Sequence, residues 1–123
     1  PEGRSAVGGR TARGLAEAIL CTTFPVVGTA TEAAAFRRVA EPAKLVRYGM
    51  DCYAYALIAA GQIDLVIEAG LQAYDVQAPI AVIEAAGGVV TDWQGGPVHD
   101  GGRVLAASCT GLHAEALALL NRR

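Results

Sequence analysis

The chain has 123 residues with ten basic and twelve acidic side chains, giving a formal net charge of −2. Its length fits one domain, and its apolar share of 53% is sufficient for a packed core rather than a disordered chain. The slight acidity argues against nucleic acid or a membrane surface as a partner, because both require basic patches.

The first half of the chain predicts strands and a helix in alternation. Residues 1–13 are rich in glycine and arginine and aperiodic, which is typical of a loose leader or a connection cut short. A strand is expected within Leu15–Thr23, and a helix over Glu32–Ala40 that Thr31 is placed to cap. Lys44–Tyr48 is the next strand candidate.

The second half continues the alternation. A helix over Cys52–Ala60 would be buried on most faces because it is apolar almost all round. Pro79 requires the next helix to begin near Val76–Ala78, because proline is tolerated only in a first turn. Strands alternating with helices predict an α/β domain with a mixed or mostly parallel sheet flanked by helices. The remaining predicted elements are strands over Ile63–Glu68, Val89–Thr91 and Arg103–Ala107 and helices over Val76–Ala86 and Gly111–Asn121.

The cysteines and histidines show no pattern typical of a metal site or a disulfide framework. Cys21, Cys52 and Cys109 lie far apart, which is typical of reduced thiols in a cytoplasmic protein. His99 and His113 have no paired ligands, so we interpret them as structural or exposed. Acidic residues interrupt every apolar stretch before it could span a bilayer, which favours a soluble protein.

Three acids stand at the ends of predicted elements. Asp51 precedes a helix, Glu68 ends a strand, and Asp75 begins a helix. Sites in α/β proteins assemble at such positions, and Mg²⁺ takes carboxylate oxygens while keeping water and substrate phosphate as its other ligands. Each acid also has an ordinary structural explanation, which local sequence alone favours: two are typical helix caps, and Glu68 is a candidate for a solvated strand end.

The run GMDCYAYALIAAGQIDLVIEAGLQAYDVQAPIAVIEAAGGVVTDWQGG resembles the C-terminal signature of inositol monophosphatase-like phosphatases. Tyr74–Asp75 stands where that signature has a Trp-Asp pair, and Glu84 with Gly87–Gly88 supplies the acid and the glycine pair that follow. The family's A-x-G-x-x-D turn between helix and strand is matched by Ala59–Ala60–Gly61 and Asp64. Several elements thus keep their relative spacing, which makes the match specific. A lone Tyr-Asp pair would not be specific.

The resemblance implies a phosphate-monoester hydrolase with Mg²⁺ as its cofactor. It makes Asp75 a metal ligand and places Glu68 against the alcohol side of a small-molecule substrate. The sequence around Asp51, Arg-Tyr-Gly-x-Asp-Cys-Tyr-Ala-Tyr-Ala, is similar to the histidinol-phosphate phosphatase branch. That similarity implies L-histidinol phosphate as the substrate, in histidine biosynthesis, with Asp51 facing its ammonium and imidazole groups. Myo-inositol monophosphate and a nucleotide 3′-phosphate remain alternative substrates.

One part of the family pattern is absent from the chain. The motif Asp-Pro-x-Asp-Gly-Thr and the glutamate upstream of it supply most of the family's metal ligands, and neither occurs here. The resemblance therefore assigns residues 14–123 to the C-terminal α/β domain of the fold and puts the catalytic residues in a missing N-terminal half. That half is the expected partner, with a homodimer left open, and the isolated chain is expected to be inactive. The rival hypothesis from another class is a non-catalytic α/β remnant or interaction module.

Overall fold

The computed structural model describes residues 14–22, 28–49, 55, 57–58, 60–98 and 101–122. Within these ranges a short 3₁₀ turn precedes five strands and three helices. Tyr55, Leu57 and Ile58 are also helical, in the segment predicted as the helix Cys52–Ala60. The leader 1–13 lies outside the described residues. The elements are the turn Leu15–Glu17, β1 Ile19–Thr22, α1 Ala30–Ala40, β2 Leu45–Tyr48, β3 Leu65–Gln72, α2 Ala73–Ala85, β4 Val89–Thr91, β5 Gly101–Ala107 and α3 Thr110–Leu120.

The strands form one mixed sheet in the order β2-β1-β3-β5-β4. β1 pairs in parallel with β2 and with β3, whereas β5 pairs antiparallel with β3 and β4. Among the described strands β5 therefore runs against the other four. The prediction of a mixed, mostly parallel sheet flanked by helices is confirmed.

The two faces of the sheet carry separate hydrophobic clusters. Side chains alternate along β3, so that Leu65 and Ile67 point to one face and Val66 to the other. The α1/α3 face, as we name it, packs Phe36 and Val39 of α1 and the buried residues of α3 on the sheet. The opposite side, the α2 face, is lined by Cys21, Tyr55, Ile58, Ile63, Val66, Ile80, Ile83, Val90, Val98, Val104 and Ala106.

The start of α1 corrects one prediction. Thr29, not Thr31, is the N-cap: its hydroxyl accepts a bond from the Glu32 backbone N–H at 3.2 Å. The Glu32 carboxylate in turn accepts from the Thr29 N–H at 2.8 Å, which completes a capping box. Thr29 is the N-cap instead of Thr31 because only Thr29 has the three-residue spacing to Glu32 that this reciprocal pair needs.

The observed start of α2 corrects a second prediction. The helix begins at Ala73, several residues before the expected start, and Pro79 lies inside it. A proline there removes the N–H that would bond to the carbonyl of Asp75 and disfavours regular helix. Ile80 and Ile83 are buried at 7% and 0% exposure, and their packing offsets that cost.

Two of the observed strands also differ from the predicted stretches in where they begin or end. β1 lies in the later part of the predicted stretch Leu15–Thr23, because the chain first makes a 3₁₀ turn over Leu15–Glu17. β3 begins two residues later and continues to Gln72, because a register shift after Glu68 lets the strand pair again with β5. A shift of this kind inserts irregular residues without ending the ladder.

Gly87 and Gly88 end α2, as predicted. Gly87 has φ of 91°, a conformation that residues with a side chain rarely adopt. At Gly88 an added Cβ would lie 2.6 Å from the backbone oxygen of Ala107. This glycine therefore allows the chain leaving the helix to pass close against β5.

Candidate functional site

The carboxyl edge of β1 and β3 is the point where the chain connections diverge. The connection from β1 to β2 contains α1, whose buried residues lie on the α1/α3 face. The carboxyl end of β3 leads directly into α2, whose Ile80 and Ile83 are buried on the α2 face. Open α/β sheets bind ligands outside the carboxyl ends of strands at such a switch in direction. This edge is therefore the candidate site.

Glu68 lies at that edge and is buried. β1 and β3 are paired up to Cys21 and Val66, and Glu68 follows two residues later on the same face of β3. Its side chain belongs to a residue only 5% exposed, and it accepts a hydrogen bond from the Tyr55 hydroxyl at 3.3 Å. The alternative that Glu68 is a solvated strand end is wrong. A buried carboxylate costs free energy unless it is paired or hydrogen-bonded, and the Tyr55 hydroxyl is one of the groups that satisfy it.

Cys21 faces the same side of the sheet and is a neutral thiol. Burial raises its pKa, the positive charge of Arg47 opposes that rise, and the negative charge of Glu68 adds to it. Arg47 stands opposite Cys21 in the parallel ladder, which explains its influence. A thiol with a raised pKa is a poor nucleophile and a poor metal ligand. Cys21 and Cys109 are both free, as expected, and Cys52 lies outside the described residues.

The structure places Asp75 by its backbone only. Asp75 is the third residue of α2, in the first turn of the helix that directly follows β3. A carboxylate in a first turn is stabilised by the free N–H groups and the positive end of the helix dipole. Its side chain is not among the described parts of the molecule, and Asp51 lies wholly outside them. The metal and substrate roles of these two acids stay predictions.

A divalent cation finds no complete set of ligands in the described ranges. No group of three or more histidine, cysteine, aspartate or glutamate side chains is placed there to hold a metal. Asp64, the residue before β3, is fully buried, and its Oδ2 accepts a hydrogen bond from the Ile19 N–H of β1 at 2.8 Å. These residues alone do not fit Mg²⁺.

His113 has a structural role, as expected. Its Nε2 lies 2.7 Å from the Thr91 hydroxyl, and that hydroxyl donates to the Asp92 carbonyl at 2.7 Å. The hydroxyl has one hydrogen, so the imidazole nitrogen must be the donor in the first contact. Burial lowers the pKa of His113. His99 lies outside the described residues.

Tyr55 is the residue of the site that sequence reasoning missed. It belongs to the segment Cys52–Ala60, predicted as a helix buried on most faces, and it is buried at 2% exposure. Its hydroxyl nevertheless reaches Glu68, thirteen residues further along the chain. A signal existed in the sequence: a tyrosine in a helix that is apolar all round must bring its buried hydroxyl to a polar partner.

None of the helices in the described parts of the chain combines the length and the apolar character that a bilayer requires.

Sequence comparison relates the chain to phosphatases. The family profile described as the inositol monophosphatase family matches residues 10–123. The chain is 43% identical over 112 residues to "Bifunctional phosphatase IMPL2, chloroplastic" of Arabidopsis thaliana, covering 84% of the chain and 32% of that protein. It is 38% identical over 76 residues to "Histidinol-phosphatase" of Streptomyces coelicolor, covering 62% of the chain and 28% of that protein. The chain thus spans about a third of the length of these relatives.

Solved structures of inositol monophosphatases also resemble the chain. An inositol monophosphatase from Zymomonas mobilis superposes with a TM-score of 0.89 at 33% identity, covering 94% of this chain and 47% of that one. The inositol monophosphatase from Anabaena superposes with a TM-score of 0.79 at 25% identity, covering 96% of this chain and 50% of that one. The chain spans about half of each.

Proposed function

Since this chain belongs to the inositol monophosphatase family, we propose that the complete product of its gene hydrolyses a small phosphate monoester with Mg²⁺ as its cofactor. The observation that carries this proposal is the carboxylate of Glu68, buried at the switch point between β1 and β3. An acid kept in a core at this edge is placed to meet a ligand and contributes little to packing.

Within the proposed site Glu68 binds the alcohol side of the substrate. A carboxylate accepts hydrogen bonds from a hydroxyl or an ammonium, and bonds to a charged group are the stronger ones. Asp75 is the metal ligand that this chain contributes, from the first turn of α2. Every other metal ligand has to come from outside the described residues.

For the substrate we propose L-histidinol phosphate. The similarity to a bifunctional phosphatase and to a histidinol-phosphatase supports this choice. Two acids on the leaving-group side, Glu68 and Asp51, suit a molecule that carries an ammonium and an imidazole. Inositol monophosphate is the second candidate, favoured by the likeness to an inositol monophosphatase of known structure. A nucleotide 3′-phosphate is the third.

We also propose that residues 14–123 are the C-terminal half of the complete enzyme. The chain covers 47% of the Zymomonas mobilis structure, and the family's Asp-Pro-x-Asp-Gly-Thr motif does not occur in it. The isolated chain is then inactive, because Mg²⁺ binds weakly to a single carboxylate and prefers its water shell. Turnover by the purified 123-residue chain would refute this half-site proposal. The rival, a non-catalytic remnant, predicts inactivity of the complete gene product as well.

The test is a substrate panel on the complete gene product. L-histidinol phosphate, inositol 1-phosphate and a nucleoside 3′-phosphate are compared by kcat/KM with Mg²⁺ and again after chelation with EDTA. The proposal predicts Mg²⁺-dependent release of phosphate, highest for L-histidinol phosphate. Release from none of the three would overturn the phosphatase proposal, and a preference for inositol 1-phosphate would overturn only the proposed substrate.

Asp51→Ala separates the substrates further. Loss of one charge-assisted contact of about 1–3 kcal/mol should lower kcat/KM for histidinol phosphate and spare inositol 1-phosphate. Equal losses on both substrates would show that Asp51 serves structure instead, as the cap of the helix at Cys52.

A further inference from the structure

Tyr55 and Glu68 join the helical segment that precedes β3 to β3 itself. The Tyr55 hydroxyl oxygen lies 3.3 Å from Oε1 of Glu68, and the two residues are 2% and 5% exposed. A phenol donates and an ionised carboxylate accepts, so the direction of the bond is fixed. A contact of this kind is shielded from water, which strengthens it relative to the same contact at the surface.

The tyrosine ring is held by its surroundings. Tyr55 belongs to the apolar cluster of the α2 face, together with Ile58, Ile63 and Val66, each at most 1% exposed. Close-packed interiors leave a ring of this size little freedom, so the position of its hydroxyl is set by the core. The carboxylate that it contacts stands on a strand paired on both sides, with Leu65 and Val66 matched to β1 and β5.

A hydrogen bond to one carboxylate oxygen restricts the rotation of the whole group. The last torsion of a glutamate side chain is broad, so an unconstrained carboxylate samples many orientations. A bond to Oε1 from a rigid donor restricts that rotation. A binding group held in place before the ligand arrives loses less entropy on binding, which improves affinity without any new contact.

We propose that Tyr55 is a positioning residue for the substrate-binding carboxylate of Glu68. This inference rests on the proposed function, because it assigns Glu68 to the substrate site. Tyr55 itself touches no substrate: it acts through Oε1 of Glu68 and holds that carboxylate toward the hydroxyl or ammonium of the leaving alcohol. Its removal raises KM more than it lowers kcat, because the orientation it provides serves binding.

The experiment is a double-mutant cycle in the complete gene product. Tyr55→Phe removes one buried oxygen and keeps the ring, and Glu68→Met removes the acceptor at similar volume. Tyr48→Phe is the matched control, because Tyr48 is 47% exposed on the edge strand β2. The substrate is whichever panel member the wild type hydrolyses best, with thermal unfolding as the check on folding. Should Tyr55→Phe fail to fold, Tyr55→Met replaces it with the same expected losses.

Tyr55→Phe should lower kcat/KM about tenfold, mainly through KM, as expected for a lost hydrogen bond to a charged group. In the Glu68→Met background the same change should cost less than about twofold, because residues that act through one another are not additive. Tyr48→Phe should change nothing. An unchanged kcat/KM in Tyr55→Phe, or an equal loss in both backgrounds, overturns the positioning role while the phosphatase proposal stands. A wild type that hydrolyses no panel substrate overturns the proposed function, and this inference with it.

Discussion

The two faces of the sheet are held by different kinds of interaction. On the α1/α3 face several polar contacts stand at the ends of helices. Arg38 donates to the Leu119 and Leu120 carbonyls at the end of α3, at 2.7 and 2.8 Å. Arg103 pairs with Glu32 at 2.6 Å near the start of α1. These contacts satisfy helix ends and surface charges, as local rules require.

The α2 face differs because it buries a carboxylate among apolar side chains. Glu68 is 5% exposed and accepts a hydrogen bond from Tyr55, which belongs to a cluster otherwise made of aliphatic residues, alanine and Cys21. A buried acid is a weak source of stability, and apolar residues of similar volume are often at least as stable. We infer that folding rules account for these contacts of the α1/α3 face, whereas the buried carboxylate of Glu68 on the α2 face supports the proposed substrate site. Sites where local rules are broken without a gain in packing are where function is expected.

The largest expected effect concerns Asp75 at the start of α2. Asp75→Asn keeps the size of the side chain and removes the charge that a divalent cation requires, so activity of the complete gene product should fall about 100-fold or more. Glu84→Gln is the matched control, because Glu84 lies on the exposed side of the same helix. The readout is kcat at several Mg²⁺ concentrations. Near-normal turnover of Asp75→Asn at low Mg²⁺ would make Asp75 a simple first-turn acid.

The second effect concerns stability on the α2 face. In Gly88→Ala the new methyl would lie 2.6 Å from the Ala107 backbone oxygen and 2.6 Å from Cγ2 of Ile83. A backbone oxygen in a paired strand cannot move aside cheaply, so we expect a loss of about 1–3 kcal/mol in the free energy of unfolding. Gly111→Ala is the control, because a Cβ there meets nothing within 4 Å. Equal Tm values for the two variants would show that α2 and β5 are less closely packed than described.

The third effect is confined to the α1/α3 face. Thr29→Ala breaks the capping box with Glu32 and should lower the free energy of unfolding by about 1 kcal/mol. Thr31 lies on the exposed side of the same helix. Thr31→Ala should therefore leave the free energy of unfolding unchanged or raise it slightly, because alanine is the better helix former. Urea unfolding of both variants measures the difference, and kcat/KM should stay at the wild-type value in both. A loss of kcat/KM in Thr29→Ala would contradict the assignment of the proposed function to the α2 face alone.

The smallest effect is a pH dependence on the α1/α3 side. Burial lowers the pKa of His113 from its ordinary value of 6.5, so the unfolded chain binds a proton more readily than the folded one. Stability contributed by this group is therefore present above pH 6.5, is lost as the pH falls through that value, and levels off below the folded pKa. His113→Gln keeps a donor for Thr91 and should flatten the fall in Tm between pH 7.5 and 5.5. An unchanged slope in the variant would assign the pH dependence to other groups.

Patterns within one element predicted most of the fold. The strand Val89–Thr91 was predicted with its observed bounds, because a β-branched run that follows Gly88 and is followed by Asp92 is a typical short strand. The sheet type followed from the alternation of strands and helices, which is a property of the whole chain. Gly87 ended α2 as expected because its left-handed backbone is a property of the residue type.

The predictions that failed depended on two local rules in competition or on contacts distant in sequence. Thr31 and Thr29 are both plausible caps, and only the reciprocal bond with Glu32 selects between them. The start of α2 was misplaced because burial of its isoleucines outweighs the cost of Pro79, and that burial is set by the sheet beneath. Glu68 looked like a solvated strand end because its partner Tyr55 comes from another element.

The measurement that tests the account most directly is the effect of Glu68→Met on the phosphatase reaction of the complete gene product. In the proposed site this carboxylate contacts the substrate and has little structural role. We predict a folded variant whose kcat/KM for the preferred phosphate monoester is lower by about tenfold or more, carried mainly by KM. A folded variant with wild-type kcat/KM would contradict the central claim that the α2 face carries the function.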